Sequence, residues 1–447
     1  MPISIRQFLA QGPATSKQIQ EATELKQSAV STALREMGAR VVTFKKGRSP
    51  FYAMTCNAFG SGDSLPLTMV DAYGNNTTVA LVRPLLHGGF YLQPKTGMPA
   101  VLAGEQGDGF FDDLPYFLSD LRPQGFLGRQ IAAQMAEQSA EFPTDPRNWR
   151  SDHVGQYLIA NGDDLPGNFK LGPQARLRIR SAPEPVTSAD YPRLVEQVLA
   201  GSLPGSSAGG EQPKFTAFCT ERSAHVIVKF SPLGNDPVAR RWRDILITEF
   251  YATLALHEGN LPAAETRLIE EGGRLFLESQ RFDRIGEYGR MPMISLQAVD
   301  TEFVGLGTSW HQVMLALARQ NLVSDDHLRD LLLLCRFGEL INNSDMHLGN
   351  ISLGVEGDQF RLLPAYDMCS MGFAPIAGGE VPSFQFVPIA SRLTDENVDQ
   401  RMVERVEEMA RNFWSQVAAD ERISDEFREF LTQGNPVDRM EAAEAEA

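Results

Sequence analysis

The stretch from Asp330 to Asp367 constrains the fold of this 447-residue chain more than any other. Its first part, DLLLLCRFGELI, is apolar enough to demand a buried helix, and the polar loop after it, NNSDMHLGN, sets Asp345 and Asn350 five residues apart. A hairpin follows, ISLGV-EGD-QFRLLPAY, with Asp367 at its far end. Helix, loop and hairpin in that order bring the end of the hairpin back to the loop. Two carboxylates and one amide are therefore expected to meet.

Oxygen ligands of this kind suit a divalent ion held against phosphates, and a carboxylate beside them can orient or deprotonate an attacking hydroxyl. On that chemistry Asp345 is the base, and Asn350 and Asp367 are the metal ligands. Upstream, FTAFC and HVIVKF read as alternating strands, and Lys229 lies inside the second, where an ammonium is costly unless an anion meets it. Glu249, 20 residues on, falls on a helix that Asp236 caps and Pro237 opens, giving the strand-lysine and helix-glutamate pair of active kinases. The glycines of PGSSAGGEQPK, residues 204–214, let backbone N–H groups approach phosphate. LESQRFDR, residues 277–284, follows a strand as an interlobe hinge, with Phe282 on adenine and the backbone of 280–282 at its edge.

Charge divides the chain. Residues 1–55 hold eight Lys/Arg against three Glu, a net +5 that leaves -21 of the overall -16 for the rest. A basic head on an acidic body implies two partners. In the head, Ile5, Phe8 and Leu9 form a short helix stopped by Gly12 and Pro13, and Thr15 or Ser16 caps a second helix through Ala22. In the third, KQSAVSTALREM, Ala29, Val30, Ala33, Leu34 and Met37 make the apolar face. Lys26, Gln27, Ser28, Ser31, Thr32 and Arg35 are left for the other, a surface suited to a major groove. VVTFKKGRSPFYAM then reads as a hairpin whose tip, Lys45, Lys46 and Arg48, would lie near backbone phosphate. This order resembles winged helix-turn-helix domains. A small helical domain making protein contacts has the same outline.

Residues 57–75 begin as a Gly/Ser/Asn-rich linker, TTVALVRP and GFYLQP read as strands, and residues 109–129 as a helical run ending in a Leu-x-Pro-x-Gly turn. The four cysteines show neither CxxC nor zinc-finger spacing, so free thiols are expected. No stretch reaches the ~20 apolar residues of a membrane span, and MPISIRQFLAQG lacks the pattern of a secretory signal; a cytoplasmic location, away from membranes, is the expectation. The acidic end, residues 434–447, is expected to be disordered.

The motifs SAGGEQPK, VKF, QRFDR, SDMHLGN and PAYD, in this order across residues 80–430, closely resemble the HipA-like kinases of bacterial toxin–antitoxin systems. The added head is similar to the standalone HipH (YjjJ) branch of that family, whereas HipA takes its DNA-binding function from a separate HipB antitoxin. The resemblance implies an α+β, two-lobed protein-kinase-like fold behind an N-terminal winged helix-turn-helix domain. Its divisions would be 1–56 for the DNA-binding head, 57–75 for the linker and start of the N-terminal subdomain, 76–284 for the rest of that subdomain and the N-lobe, 285–433 for a mainly helical C-lobe, and 434–447 for the tail.

The implied activity is ATP- and magnesium-dependent serine/threonine protein phosphorylation, with a protein substrate, DNA bound through residues 1–56 and an antitoxin as a candidate partner. Asp345 would be catalytic, supported by Lys229 and Glu249. ATP would be lined by Gly209, Gly210, Glu211, Gln212, Pro213, Lys214, Lys229, Gln280, Arg281, Phe282, His347, Leu348, Gly349, Asn350, Tyr366 and Asp367. Ser207 matches the serine that such kinases autophosphorylate, with Ser206 adjacent; about two added negative charges beside bound phosphates would be repulsive, and in the family this modification silences the enzyme. Two departures from the family bear on ATP affinity: Gln280 stands where Glu is frequent, and the helical YPRLVEQVLAG precedes the glycine loop in place of a strand. D-x-H-x-x-N at 345–350 also looks like the catalytic loop of lipid kinases. A DNA-binding regulator with an inactive or nucleotide-sensing kinase body, and a nuclease, are the remaining alternatives.

Overall fold

The computed structural model describes residues 3–46, 49–173, 184–201, 212–376, 380–384 and 400–439, without the side chains of Lys46 and Asp163. Two capping boxes start the head: Ser4 and Thr15 accept the N–H groups of Gln7 and Gln18, whose side chains reach back, so helices Ile5–Leu9 and Ser16–Thr23 begin there. The third helix, Gln27–Met37, buries Val30 and Leu34 against Ile5, Leu9, Ile19 and Met54. Ala29 is exposed, contrary to the expected apolar face. The stripe Val30, Ala33, Leu34 and Met37 is complete without it, and a methyl group gains little by burial.

Strands Val41–Lys46 and Ser49–Met54 form the expected hairpin, joined by a two-residue strand, Ala14–Thr15, too short to leave a periodic signal. The hairpin turns Val42, Phe44 and Ala53 onto Leu85 and Tyr91. The Phe44 ring centroid lies 5.2 Å from that of Tyr91 and 5.8 Å from that of Phe110, and burial of one such ring stabilises by about 1.5–3 kcal/mol. The head is thus docked on the next sheet of the chain. Arg83 adds to this by donating to the carbonyls of Ala39 and Asp63.

That sheet is antiparallel and five-stranded, ordered Phe110–Phe111, Phe90–Pro94, Asn76–Pro84, Leu65–Val70 and Phe169–Leu171. Residues 109–129 are not one helical run. They divide into the edge strand Phe110–Phe111, one turn at Tyr116–Ser119 and the start of the helix Gly125–Gln138. Pro115 and Pro123 explain the breaks, since neither can donate to a preceding turn.

A second five-stranded sheet orders Thr266–Glu271, Arg274–Gln280, Ala224–Phe230, Lys214–Cys219 and Pro185–Val186, the last pair parallel. The 22-residue helix Pro237–Glu258, capped by Asp236, packs on this sheet. Below it lies a mainly helical lobe built on Leu296–Phe303, Trp310–Arg319, Asp325–Leu340, Gln400–Ala419 and Asp425–Thr432, with a small sheet of Ile294–Ser295, Ser352–Glu356 and Gln359–Leu362. Residues 434–439, expected to open a disordered tail, fold back: Val437 is fully buried, and Asp438 pairs with Arg411 at 2.7 Å. One apolar residue with a place in the core outweighs the acidic composition around it; residues 440–447 lie outside the described residues. All four cysteines are free thiols.

Candidate active site

The helix Asp325–Leu340 is buried along most of its length and ends as Asn342 turns into the left-handed region, φ +58°. That turn releases the polar loop into a cleft between the lobes. Asn343 Oδ1 accepts the N–H of Asp345 at 3.1 Å. Asn350 Nδ2 donates to the Asp345 carbonyl at 2.9 Å and to its Oδ2 at 3.0 Å. Asp345 and Asn350 are therefore locked to each other, and the Asn350 Oδ1 takes no hydrogen bond from a described residue. His347 Nε2 lies 3.7 Å from Asp345 Oδ1, and Trp310 fixes the backbone there by donating to the His347 carbonyl at 2.8 Å.

The hairpin after the loop delivers Asp367 in the left-handed conformation, φ +53°, one that Asp tolerates better than most side chains. Lys229 reaches it from the facing sheet. Its Nζ donates to both Glu249 oxygens at 2.6 Å and to Asp367 Oδ1 at 2.5 Å. Burial works against the Lys229 ammonium, but the Asp367 and Glu249 carboxylates override it and raise its pKa. Burial lifts the Glu249 carboxyl despite Lys229. For Asp367, burial is outweighed by the charges of Lys229 and Lys214, which hold it at about 2.

Because Asp367 titrates below its ordinary 3.8, its ionised form stabilises the fold above that pH, and the contribution is lost as pH falls through about 2. Asp367→Asn is expected to flatten the loss of stability between those two values, measured by urea melts at a series of pH values. An unchanged acid limb would show that Asp367 is not held by Lys229.

Of the residues expected at a nucleotide, Gln212, Pro213, Lys214, Lys229, Gln280, Arg281, Phe282, His347, Gly349, Asn350, Tyr366 and Asp367 line one cleft of about 930 Å³, together with Glu249 and Asp345. Phe282 and Tyr366 face each other with ring centroids 5.7 Å apart, and the Tyr366 hydroxyl bonds Ser352 Oγ at 2.8 Å. Leu348 is buried and does not line the cleft. The Arg281 guanidinium is committed to Asp283 at 2.9 Å, and the N–H groups of Gln280 and Arg281 already bond the carbonyls of Glu265 and His225. That leaves the Phe282 N–H without a partner among the described residues. Gly209, Gly210, Glu211, Ser206 and Ser207 lie outside the described residues, as do Arg48 and the Lys46 side chain. Lys26, Gln27, Ser28, Ser31, Thr32, Arg35 and Lys45 are all exposed on the head.

Sequence reasoning missed one wall of the cleft. Asp120, Arg122, Gln124 and Gly125 line it, in and just before the Leu-x-Pro-x-Gly turn, whose proline and glycine were legible but whose destination was not. It also missed the joint behind the hinge. Asp283 bonds Arg284 at 2.7 Å as well as Arg281, and Asp164 bonds Arg284 at 3.1 Å, so QRFDR is anchored to the preceding sheet domain. The alternating charges of RFDR were the available signal.

A family model described as the HipA-like C-terminal domain matches residues 206–432, and one described as the middle domain of a YjjJ-like toxin matches residues 61–180. Toxin YjjJ of Escherichia coli (strain K12) is 35% identical over 431 residues, which cover 94% of each chain. A chain from the complex of Shewanella oneidensis MR-1 HipA, HipB and operator DNA superposes with a TM-score of 0.58 at 15% identity, over 85% of this chain and 97% of that one. At that identity the likeness is one of fold.

Proposed function

Because this chain belongs to the HipA-like toxin family and has a HipA-like fold of mixed helix and sheet, we propose that it is an ATP- and magnesium-dependent serine/threonine protein kinase, autophosphorylating on Ser207, whose N-terminal domain binds DNA. The observation that carries this reading is the meeting of Lys229, Glu249 and Asp367 with the linked Asp345 and Asn350 in one cleft. These residues are as much as 138 positions apart in sequence. Packing of a core does not require such a set.

The donor set suits both cofactors. Among the described residues no group of three or more His, Cys, Asp or Glu side chains could hold a metal. Asn350 Oδ1 and Asp367 Oδ2 are the oxygens on offer, which fits magnesium, an ion held by one or two protein groups together with substrate phosphates. Such an ion would neutralise charge on the phosphates. On the nucleotide side, Gln212 Nε2 is buried in the cleft wall without an acceptor among the described residues, a donor that a phosphate or ribose oxygen would satisfy. Phe282 and Tyr366 offer a flat apolar surface for the base. Lys229, fixed by Glu249, would hold phosphate in line, and Asp345, oriented by Asn350, would accept the proton of the attacking hydroxyl.

Labelled ATP incubated with the protein and a cell lysate tests the activity. Label is expected in the chain itself and in a small set of proteins. Label confined to lipids or small molecules would overturn the protein-kinase reading, and magnesium-dependent cleavage of DNA without ATP would replace it with a nuclease.

The DNA-binding arm rests on the head's exposed third helix, whose small polar side chains and Arg35 could approach base edges, and on Lys45 at the hairpin. HipA in the Shewanella complex stands with HipB and operator DNA; here the head would supply that contact within one chain, and an antitoxin would bind elsewhere. Arg35→Ala and Lys45→Ala should each weaken duplex binding, and Lys45→Ala should also reduce the slope of log affinity against log salt by about 1. Fluorescence anisotropy across a salt series reads both. Two variants indistinguishable from the wild type would remove DNA from the head.

A further inference from the structure

One wall of the cleft comes from outside the two lobes, from the turn that joins Tyr116–Ser119 to Gly125–Gln138. The turn and the helix that follows it are anchored to both lobes. Asp120 accepts the N–H of Ser295 at 2.7 Å and its hydroxyl at 2.5 Å, and Gln130 Nε2 donates to the Val198 carbonyl at 3.0 Å. Arg122 lies between these anchors.

Among the described residues its Nε, which is buried, has no hydrogen-bond partner, and no ion pair engages its guanidinium. Among the other cations lining the cleft, Lys229 is held by Glu249 and Asp367, Arg274 by the Ser231 carbonyl and Arg281 by Asp283. A half-buried guanidinium facing a cleft with a desolvated, unpaired nitrogen costs stability, and an incoming acceptor relieves that cost. Beside it, the 14-residue helix Gly125–Gln138 begins at Gln124 without a side-chain cap, and Gln124 and Gly125 line the same cleft. Its first N–H groups therefore add to a positive potential.

The acceptor is a phosphoanion by charge balance. Lys229 is shared by two carboxylates, and with Asp345 added the group stays net negative even when Lys214, which lines the same cleft, is counted: two lysines against three carboxylates. A nucleotide polyphosphate brought there needs another cation, and the planar fork of an arginine matches phosphate oxygens.

We propose that Arg122, with the start of the Gly125–Gln138 helix, forms a subsite for a phosphate of the bound nucleotide, so that the middle domain completes the nucleotide site. This rests on the kinase reading, and the test separates the two. Binding of ATP with magnesium, ADP with magnesium, and adenosine is measured calorimetrically on the full-length wild type, Arg122→Gln and Arg122→Lys, beside thermal melts of each. Arg122→Gln should melt at or above the wild type without ligand, bind ATP about 10- to 100-fold more weakly, and bind adenosine unchanged; Arg122→Lys should fall between. Equal ATP affinity in wild type and Arg122→Gln would overturn the subsite and leave the kinase reading standing, whereas a wild type that binds no ATP would overturn that reading itself. Normal ATP binding with impaired acceptor phosphorylation would move Arg122 to the acceptor and also overturn the proposal. So would a variant melting well below the wild type, since Arg122 would then hold the fold.

Discussion

Asp345→Ala should lower phosphotransfer from ATP by about 10²- to 10⁴-fold, the range for loss of a positioned general base, while ATP with magnesium binds as before. The side chain is 47% exposed, so its loss removes little packing. Asn350 keeps its bond to the Asp345 carbonyl at 2.9 Å, which preserves the loop. Single-turnover autophosphorylation with labelled ATP separates the chemical step from binding. An unchanged rate constant would exclude Asp345 as the proton acceptor and leave the body of the protein as a nucleotide sensor serving the head.

Lys229→Met should lose activity and also destabilise the fold, by about 3–5 kcal/mol, because it strands a buried carboxylate. Glu249 is only 3% exposed, and among the described residues no second cation hydrogen-bonds its side chain. Adding Glu249→Leu to Lys229→Met removes that stranded charge and fills its place with apolar volume. The double variant should recover much of the stability and none of the activity. Melting temperatures of the wild type, both single variants and the double variant form the cycle that reads this. If the double variant is no more stable than Lys229→Met, the lysine and glutamate do not act as a pair.

The features legible in the sequence were those with local causes. Asp236 before Pro237 fixes a helix start through two side-chain bonds, to the N–H groups of Val238 and Ala239, and one missing N–H, and the helix begins there. DLLLLCRFGELI, SDMHLGN and the EGD hairpin each carry their own signal, and their order places Asp367 near Asp345 without knowledge of the remaining chain. What stayed hidden was set by distant partners. Ala29 had the right spacing for burial, but neighbouring positions already filled the face. Pro115 and Pro123 were visible as breakers, yet the aromatic run 109–129 outweighed them in the reading of a continuous helix. Val437 could not be separated from an acidic tail without seeing the helices it rests on. Arg122 shows the same limit, since nothing within DLRPQG reveals that Ser295 and Val198 hold this turn and the helix after it over the cleft.

A structure of the full-length chain with a non-hydrolysable ATP analogue and magnesium is the most direct test. The terminal phosphate should lie between Lys229 and Asp345, with the metal on Asn350 and Asp367 and the base against Phe282. A nucleotide bound elsewhere, or a metal held without Asp367, would contradict a kinase site at these residues.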